Sequence, residues 1–141
     1  MELVPGISAH FVQSKKFKTN KITVRFTAPL SLETVAGRML SVSMLETANK
    51  AYPTSQAFRR YLASLYGADI STSAYRRGQA HVLDLTFTYV RDEFLSKKNV
   101  LTSRILELVK QTLFAPLALD GAFEPTLFEI EKKQLLANLA T

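Results

Sequence analysis

Two imidazoles, His10 and His81, and no cysteine are available to this 141-residue chain. Those counts already restrict its chemistry. A catalytic zinc needs three protein ligands, an open position for water, and a carboxylate beside that water to act as base. Two histidines at i and i+4 share one face of a helix, which lets a single helix supply two of the ligands. His10 and His81 fall instead in separate strand-like stretches. A serine nucleophile would need one of the same two histidines as its base. Asp84 lies three residues from His81, so on a strand the pair points to opposite faces. The glycines Gly6, Gly37, Gly67, Gly78 and Gly121 are isolated, and no Gly-rich phosphate cradle exists. Tyr61, Tyr66, Asp69 and Tyr75 are the remaining polar group that could cluster, and core and surface roles account for them. No cofactor, no metal and no nucleophilic catalysis are expected. The lack of cysteine also removes disulfides and thiolate metal sites, as fits a reducing compartment.

The elements that would position these residues are read from periodicity. "GISAHFVQ" alternates, with Ile7, Ala9 and Phe11 on one face. "KITVRFTA" alternates more clearly, with Ile22, Val24 and Phe26 opposite Lys21, Thr23, Arg25 and Thr27. The polar link "SKKFKTN" makes the two a hairpin. Pro29 ends the second strand, and Ser31 caps a helix from about Leu32, with Val35, Met39, Leu40 and Met44 at helical spacing. "YPTSQ" breaks that helix, and Thr54 caps the next. Its stripe is Phe58, Tyr61, Leu62, Leu65 and Tyr66, with Gly67 at the left-handed stop. "DISTSAYRRGQAHVLDLTFTYV" predicts a second hairpin turning near Arg77-Gly78, with His81, Leu83, Leu85, Phe87 and Tyr89 on one face. A helix follows from about Lys98 to Phe114, striped by Val100, Leu101, Ile105, Leu108, Val109 and Leu113. "APLALDG" interrupts it. A last helix runs from Pro125, with Leu127, Phe128, Ile130, Leu135, Leu136 and Leu139 apolar. Its Glu129, Glu131, Lys132 and Lys133 read as a solvated, self-paired face.

The order β-β-α-α-β-β-α-α predicts an α+β fold: a two-layer sandwich of a mainly antiparallel sheet with helices on one face. The 141 residues read as a single domain, and the last helix, which has no stop signal, points to a fragment of a longer chain. No segment resembles a signal peptide or a membrane span, so the expected setting is the cytoplasm, without a membrane partner. The net charge is +6. That raises a basic nucleic-acid-binding module as an alternative. The charges are scattered, however: Lys15, Lys16, Lys18 and Lys21 in one turn, Arg59 and Arg60 on a helix, Arg76 and Arg77 beside Gly78. No recognised nucleic-acid motif accompanies them.

The order of "KFKTN", "APLSLET", "YPTSQ", "YLASLYGA" and "LFAPLALDGAF…EIEKKQL" along nearly the whole chain resembles the insulinase (pitrilysin) family of zinc peptidases. It is most similar to the family's non-peptidase, YmfF-like members, and to their N-terminal portion. In active relatives the first long helix carries His-x-x-Glu-His ahead of a Tyr-Pro loop. Anchored on Tyr52-Pro53, those three positions fall on Met39, Val42 and Ser43. A third ligand, a Glu in a later helix, falls on Ala137 or Asn138. The resemblance therefore implies an insulinase or mitochondrial-processing-peptidase-like fold from which every zinc ligand and the base have gone. It implies a heterodimer with an active homologue, in which this chain helps to hold an extended peptide substrate, and a link to elongation factor P modification or peptide processing. Self-association of uncovered helix faces is a further expectation.

Overall fold

The computed structural model describes residues 2–95, 100–116, 118–119, 122–123 and 125–140. Strands β1 (Glu2–Val4) and β2 (Ile7–Ser8) form a minimal ribbon around Gly6, whose φ of 86° is left-handed. Strand β3 (Thr19–Pro29), helices α1 (Val35–Thr47) and α2 (Ser55–Ser64), and strands β4 (Asp69–Arg77) and β5 (Ala80–Val90) follow. Helix α3 (Val100–Phe114), the short strands β6 (Ala118–Leu119) and β7 (Ala122–Phe123), and helix α4 (Pro125–Ala140) complete the order. The main sheet is antiparallel with the order β3-β5-β4.

The sheet corrects one expected pairing. "GISAHFVQ" does not lie beside β3; Ile7–Ser8 pairs with Glu2–Val4, and residues 9–18 form no strand. β3 pairs along its whole length with β5, from Thr19↔Val90 to Pro29↔Ala80. The reason is burial. Ile7 and Phe11 are exposed. β5, in contrast, places Phe87 opposite Ile22, Leu85 opposite Val24 and Leu83 opposite Phe26. Such cross-strand apolar pairs are what stabilises a sheet. The β4–β5 hairpin forms as expected, turning through Gly78 at φ 61°.

Leu85, Phe87 and Tyr89 of β5 face the helices, and with Ile70 they meet Phe58, Leu62 and Leu65 and also Leu101, Ile105 and Leu108. This is the core between two layers. Its strength comes from apolar area removed from water, roughly 25 cal/mol per Å². On the opposite face Asp84 grips Arg25 through two bonds, Nε–H to Oδ1 at 2.8 Å and Nη2–H to Oδ2 at 3.0 Å. Those bonds first, and the carboxylate charge second, hold Arg25 in its cationic form beyond the ordinary arginine range.

Helix boundaries shift for local reasons. α1 begins at Val35 rather than Leu32, because the Ser31 carbonyl accepts from both Thr34 and Val35 and closes a turn first. Thr54 caps α2 as expected, its side chain accepting from the Ala57 amide at 3.1 Å. Tyr66 leaves the expected stripe: its φ is 57°, so the chain reverses one residue before Gly67 and turns the ring to solvent. The Asp92 carboxylate accepts from the Thr102 amide and caps the start of α3. Lys98, at the expected start of that helix, lies outside the described residues, as do the Val100, Leu127 and Leu139 side chains. The "APLALDG" interruption contains β6, which pairs with β7 just beyond it; Leu117, Asp120 and Gly121 lie outside the described residues. On α4, Phe128 and Leu135 are half-buried, but Ile130 and Leu136 are exposed. Its packing is mainly against α1.

Candidate functional site

α1 and α4 lie against each other with a turn of α2 alongside, and a polar cleft of about 330 Å³ opens between them. α1 supplies Ser43, Glu46 and Thr47; α2 supplies Ser55 and Arg59; α4 supplies Glu131, Gln134, Leu135 and Asn138. Helical geometry explains both long lists. Positions 43, 46 and 47 stand at i, i+3 and i+4, and positions 131, 134, 135 and 138 at i, i+3, i+4 and i+7, so each set shares one face.

The two carboxylates are held from different sides. Glu46 accepts from the Thr72 hydroxyl of β4 at 2.6 Å and lies 3.7 Å from the Arg59 guanidinium. Glu131 reaches across from α4. The Thr47 hydroxyl lies 2.9 Å from Glu131 Oε1 and 2.8 Å from the Ser43 carbonyl oxygen, with one proton to share between the two acceptors. The same side chain thus ties α1 to α4 and leans back on its own helix.

Of the three motif positions placed by the Tyr-Pro anchor, Ser43 lines the cleft. Met39 is half-buried one turn earlier, and Val42, 5% exposed, is packed into the interior; neither lines the cleft. Asn138 lines it, while Ala137 is exposed and does not. Glu131, expected on a solvated face, is half-buried in the cleft. Two carboxylates, Glu46 and Glu131, face the cleft outside the anchored positions Met39, Val42 and Ser43. The signal was available in the helical spacing of Ser43, Glu46 and Thr47, one turn beyond the anchored register.

The isolated histidines have separate surroundings. His81 is buried, its Nδ1 accepting from Arg38 Nε at 3.2 Å and its carbonyl from Arg38 Nη2 at 3.3 Å, which ties α1 to β5. Asp84 faces the other side of the sheet, as its spacing from His81 requires. His10 is exposed. Nor do Tyr61, Tyr66, Asp69 and Tyr75 converge. Tyr61 stacks on Tyr52 with ring centroids 4.3 Å apart, Tyr66 is exposed, and Tyr75 lies 3.5 Å from Asp84 on the outer face. Burial first, and then the Tyr61 neighbour, push the Tyr52 phenol above the ordinary tyrosine range.

A catalytic zinc does not fit the cleft. Hydroxyls stand at positions 43 and 47 where imidazoles would be needed, and both carboxylates already have protein partners. Among the described residues no three of His, Cys, Asp and Glu group to hold a metal ion. No described helix is long and apolar enough to cross a membrane.

No family model matches the chain. A Bacillus subtilis (strain 168) protein named "Probable inactive metalloprotease YmfF" is 31% identical over 92% of the chain. The chain is similar to this probable inactive metalloprotease. A conserved protein from Enterococcus faecalis V583, solved by crystallography, shares the fold with a TM-score of 0.86 and 31% identity over 92% of the chain. The chain spans 30% of the length of the YmfF relative and 30% of the crystallised protein. No His-x-x-Glu-His occurs in its sequence, in keeping with the name of the YmfF relative.

Proposed function

We propose that this chain is the N-terminal portion of an insulinase-type homologue that holds or regulates rather than cuts. In this reading it partners an active zinc peptidase and helps to retain an extended peptide. The observation that carries it is the α1–α4 cleft. Ser43-x-x-Glu46-Thr47 has the spacing of His-x-x-Glu-His, with hydroxyls in place of both imidazoles and the carboxylate kept between them. Glu131 stands across the cleft on the later helix, on the side where the resemblance puts a third ligand. The helices keep their packing, and the two imidazoles that would hold a metal beside that carboxylate are absent. Among the described residues β3 and β4 are the outer strands of the sheet, and their outer edges offer backbone groups to a peptide strand. The link to elongation factor P rests on the resemblance and on no residue of the cleft.

The test pairs this chain with an active homologue that carries an intact His-x-x-Glu-His. Co-elution on size exclusion and a changed rate of peptide cleavage by the partner are expected. Separate elution with an unchanged rate would refute the subunit role. Chelator-sensitive cleavage by this chain alone would refute the loss of catalysis.

A further inference from the structure

The segment before β3 carries a surface that the cleft does not use. From Leu3 to Leu32 there is no acidic residue, while Lys15, Lys16, Lys18 and Lys21 fall within seven positions. All four lysines are exposed. Apolar side chains stand among and before them: Phe11 is 83% exposed, Val12 92% and Phe17 64%. The loop is nevertheless built. Arg91, at the end of β5, donates through Nη1 to the Ser14 and Phe17 carbonyls at 3.4 and 3.2 Å, and its amide donates to the Lys18 carbonyl at 3.0 Å. The Lys16 amide donates to the Ser14 hydroxyl oxygen at 3.3 Å and tightens the turn. Glu93, the acid engaged here, is taken up by Arg91 at 2.7 Å, and among the described residues the four lysines have no ion-pair partner.

We propose that this loop is a docking site for an anionic bilayer surface. Ammonium groups meet lipid phosphates while Phe11, Val12 and Phe17 enter the apolar boundary beneath them. Charge complementarity selects an anionic partner, and the pairing of lysines with nearly bare apolar side chains selects a bilayer. A nucleic acid would use flat rings for stacking, and Val12 at the most exposed position offers none. The expectation of no membrane partner came from the absence of a spanning segment. A surface contact needs only exposed side chains on an anchored turn.

Each lysine near an anionic surface contributes about 1 kcal/mol, so removing three weakens binding on the order of 100-fold. The experiment is co-sedimentation of the chain with vesicles of phosphatidylcholine, with and without phosphatidylglycerol, at near-physiological salt. Binding only to the phosphatidylglycerol vesicles is expected. Lys15→Gln/Lys16→Gln/Lys18→Gln should weaken it by that factor, and Phe11→Ser/Val12→Ser/Phe17→Ser should weaken it at least tenfold. Circular dichroism melts of both variants check that the fold is kept. No binding to the anionic vesicles overturns the proposal, as does binding that both folded variants retain. Equal affinity for single-stranded DNA, lost with the lysines but kept by the apolar variant, overturns it in favour of a polyanion site.

Discussion

Replacing Ser43 and Thr47 by histidine should convert the cleft into a zinc site. The double variant Ser43→His/Thr47→His writes His-x-x-Glu-His onto α1 around the resident Glu46, with Glu131 available from α4. The distance to be bridged is known. Two ligand atoms bound to one tetrahedral zinc at about 2.0–2.2 Å lie roughly 3.4 Å apart. Thr47 Oγ1 and Glu131 Oε1 are 2.9 Å apart, so residue 47 and the Glu131 carboxylate already face each other, and the carboxylate must draw back to admit an imidazole and an ion. The longer imidazole places the ion deeper in the cleft, where about 330 Å³ is open. An ion that binds only the folded state stabilises it by about 2.7 kcal/mol at a hundredfold excess over Kd. For a domain of this size that is a rise in Tm of roughly 8 °C. The assay is a thermal melt with and without zinc, joined to metal analysis of the purified variant. The native chain should melt at one temperature in both conditions. Adding Glu131→Gln to the double variant should remove most of the gain, because a carboxylate ligand becomes a neutral amide. A folded double variant that melts independently of zinc would refute the claim that α1 and α4 keep a metal-site geometry. A gain that survives Glu131→Gln would refute the role of α4.

Three further outcomes follow from the packing. Thr54→Ala removes the bond from the Ala57 amide to the α2 cap and should cost about 1 kcal/mol, read as a drop of roughly 3 °C in Tm. Phe58→Ala empties a fully buried site against Tyr52 and the β5 face and should cost about 3–5 kcal/mol in denaturant unfolding. Tyr52 should ionise at higher pH than an ordinary tyrosine, seen as a late phase in near-ultraviolet absorbance that Tyr52→Phe abolishes. Because its folded pKa is raised, its contribution to stability is present below the unfolded value, about 10, and is lost as pH climbs through the folded one.

Periodicity made the core legible. The stripe Phe58, Leu62 and Leu65 on α2 and the alternation Leu83, Leu85, Phe87 and Tyr89 on β5 are both buried as read, because these residues meet only when each element has its expected period. Pairing was less legible. "GISAHFVQ" has the alternation of a strand, but alternation names a face and not a partner. β5 could offer β3 eleven residues of register with apolar pairs at Ile22, Val24 and Phe26, and a ten-residue loop could not compete. Tyr66 was misplaced for a related reason. A helical stripe continues in the sequence after the backbone has turned left-handed, and only the φ value marks where the helix ends.

The cleft was illegible for a different physical reason. Anchoring a helical motif on the Tyr52-Pro53 loop assumes a fixed number of residues between helix and loop. Loop lengths are the least constrained quantity in a fold, whereas the face of a helix is fixed by 3.6 residues per turn. A shift of four residues returns nearly to the same face, so Met39 and Ser43 and Thr47 form one column. Which two of its members meet α4 is decided by where that second helix crosses. The crossing is observed at Thr47, through its 2.9 Å contact with Glu131. A carboxylate between two column positions and another across the cleft remain, each now held by a hydroxyl. Ser43 and Thr47 present hydroxyls rather than imidazoles to the cleft, which leaves too few ligands for a metal, and the Thr47 hydroxyl ties α1 directly to Glu131 of α4 without an ion.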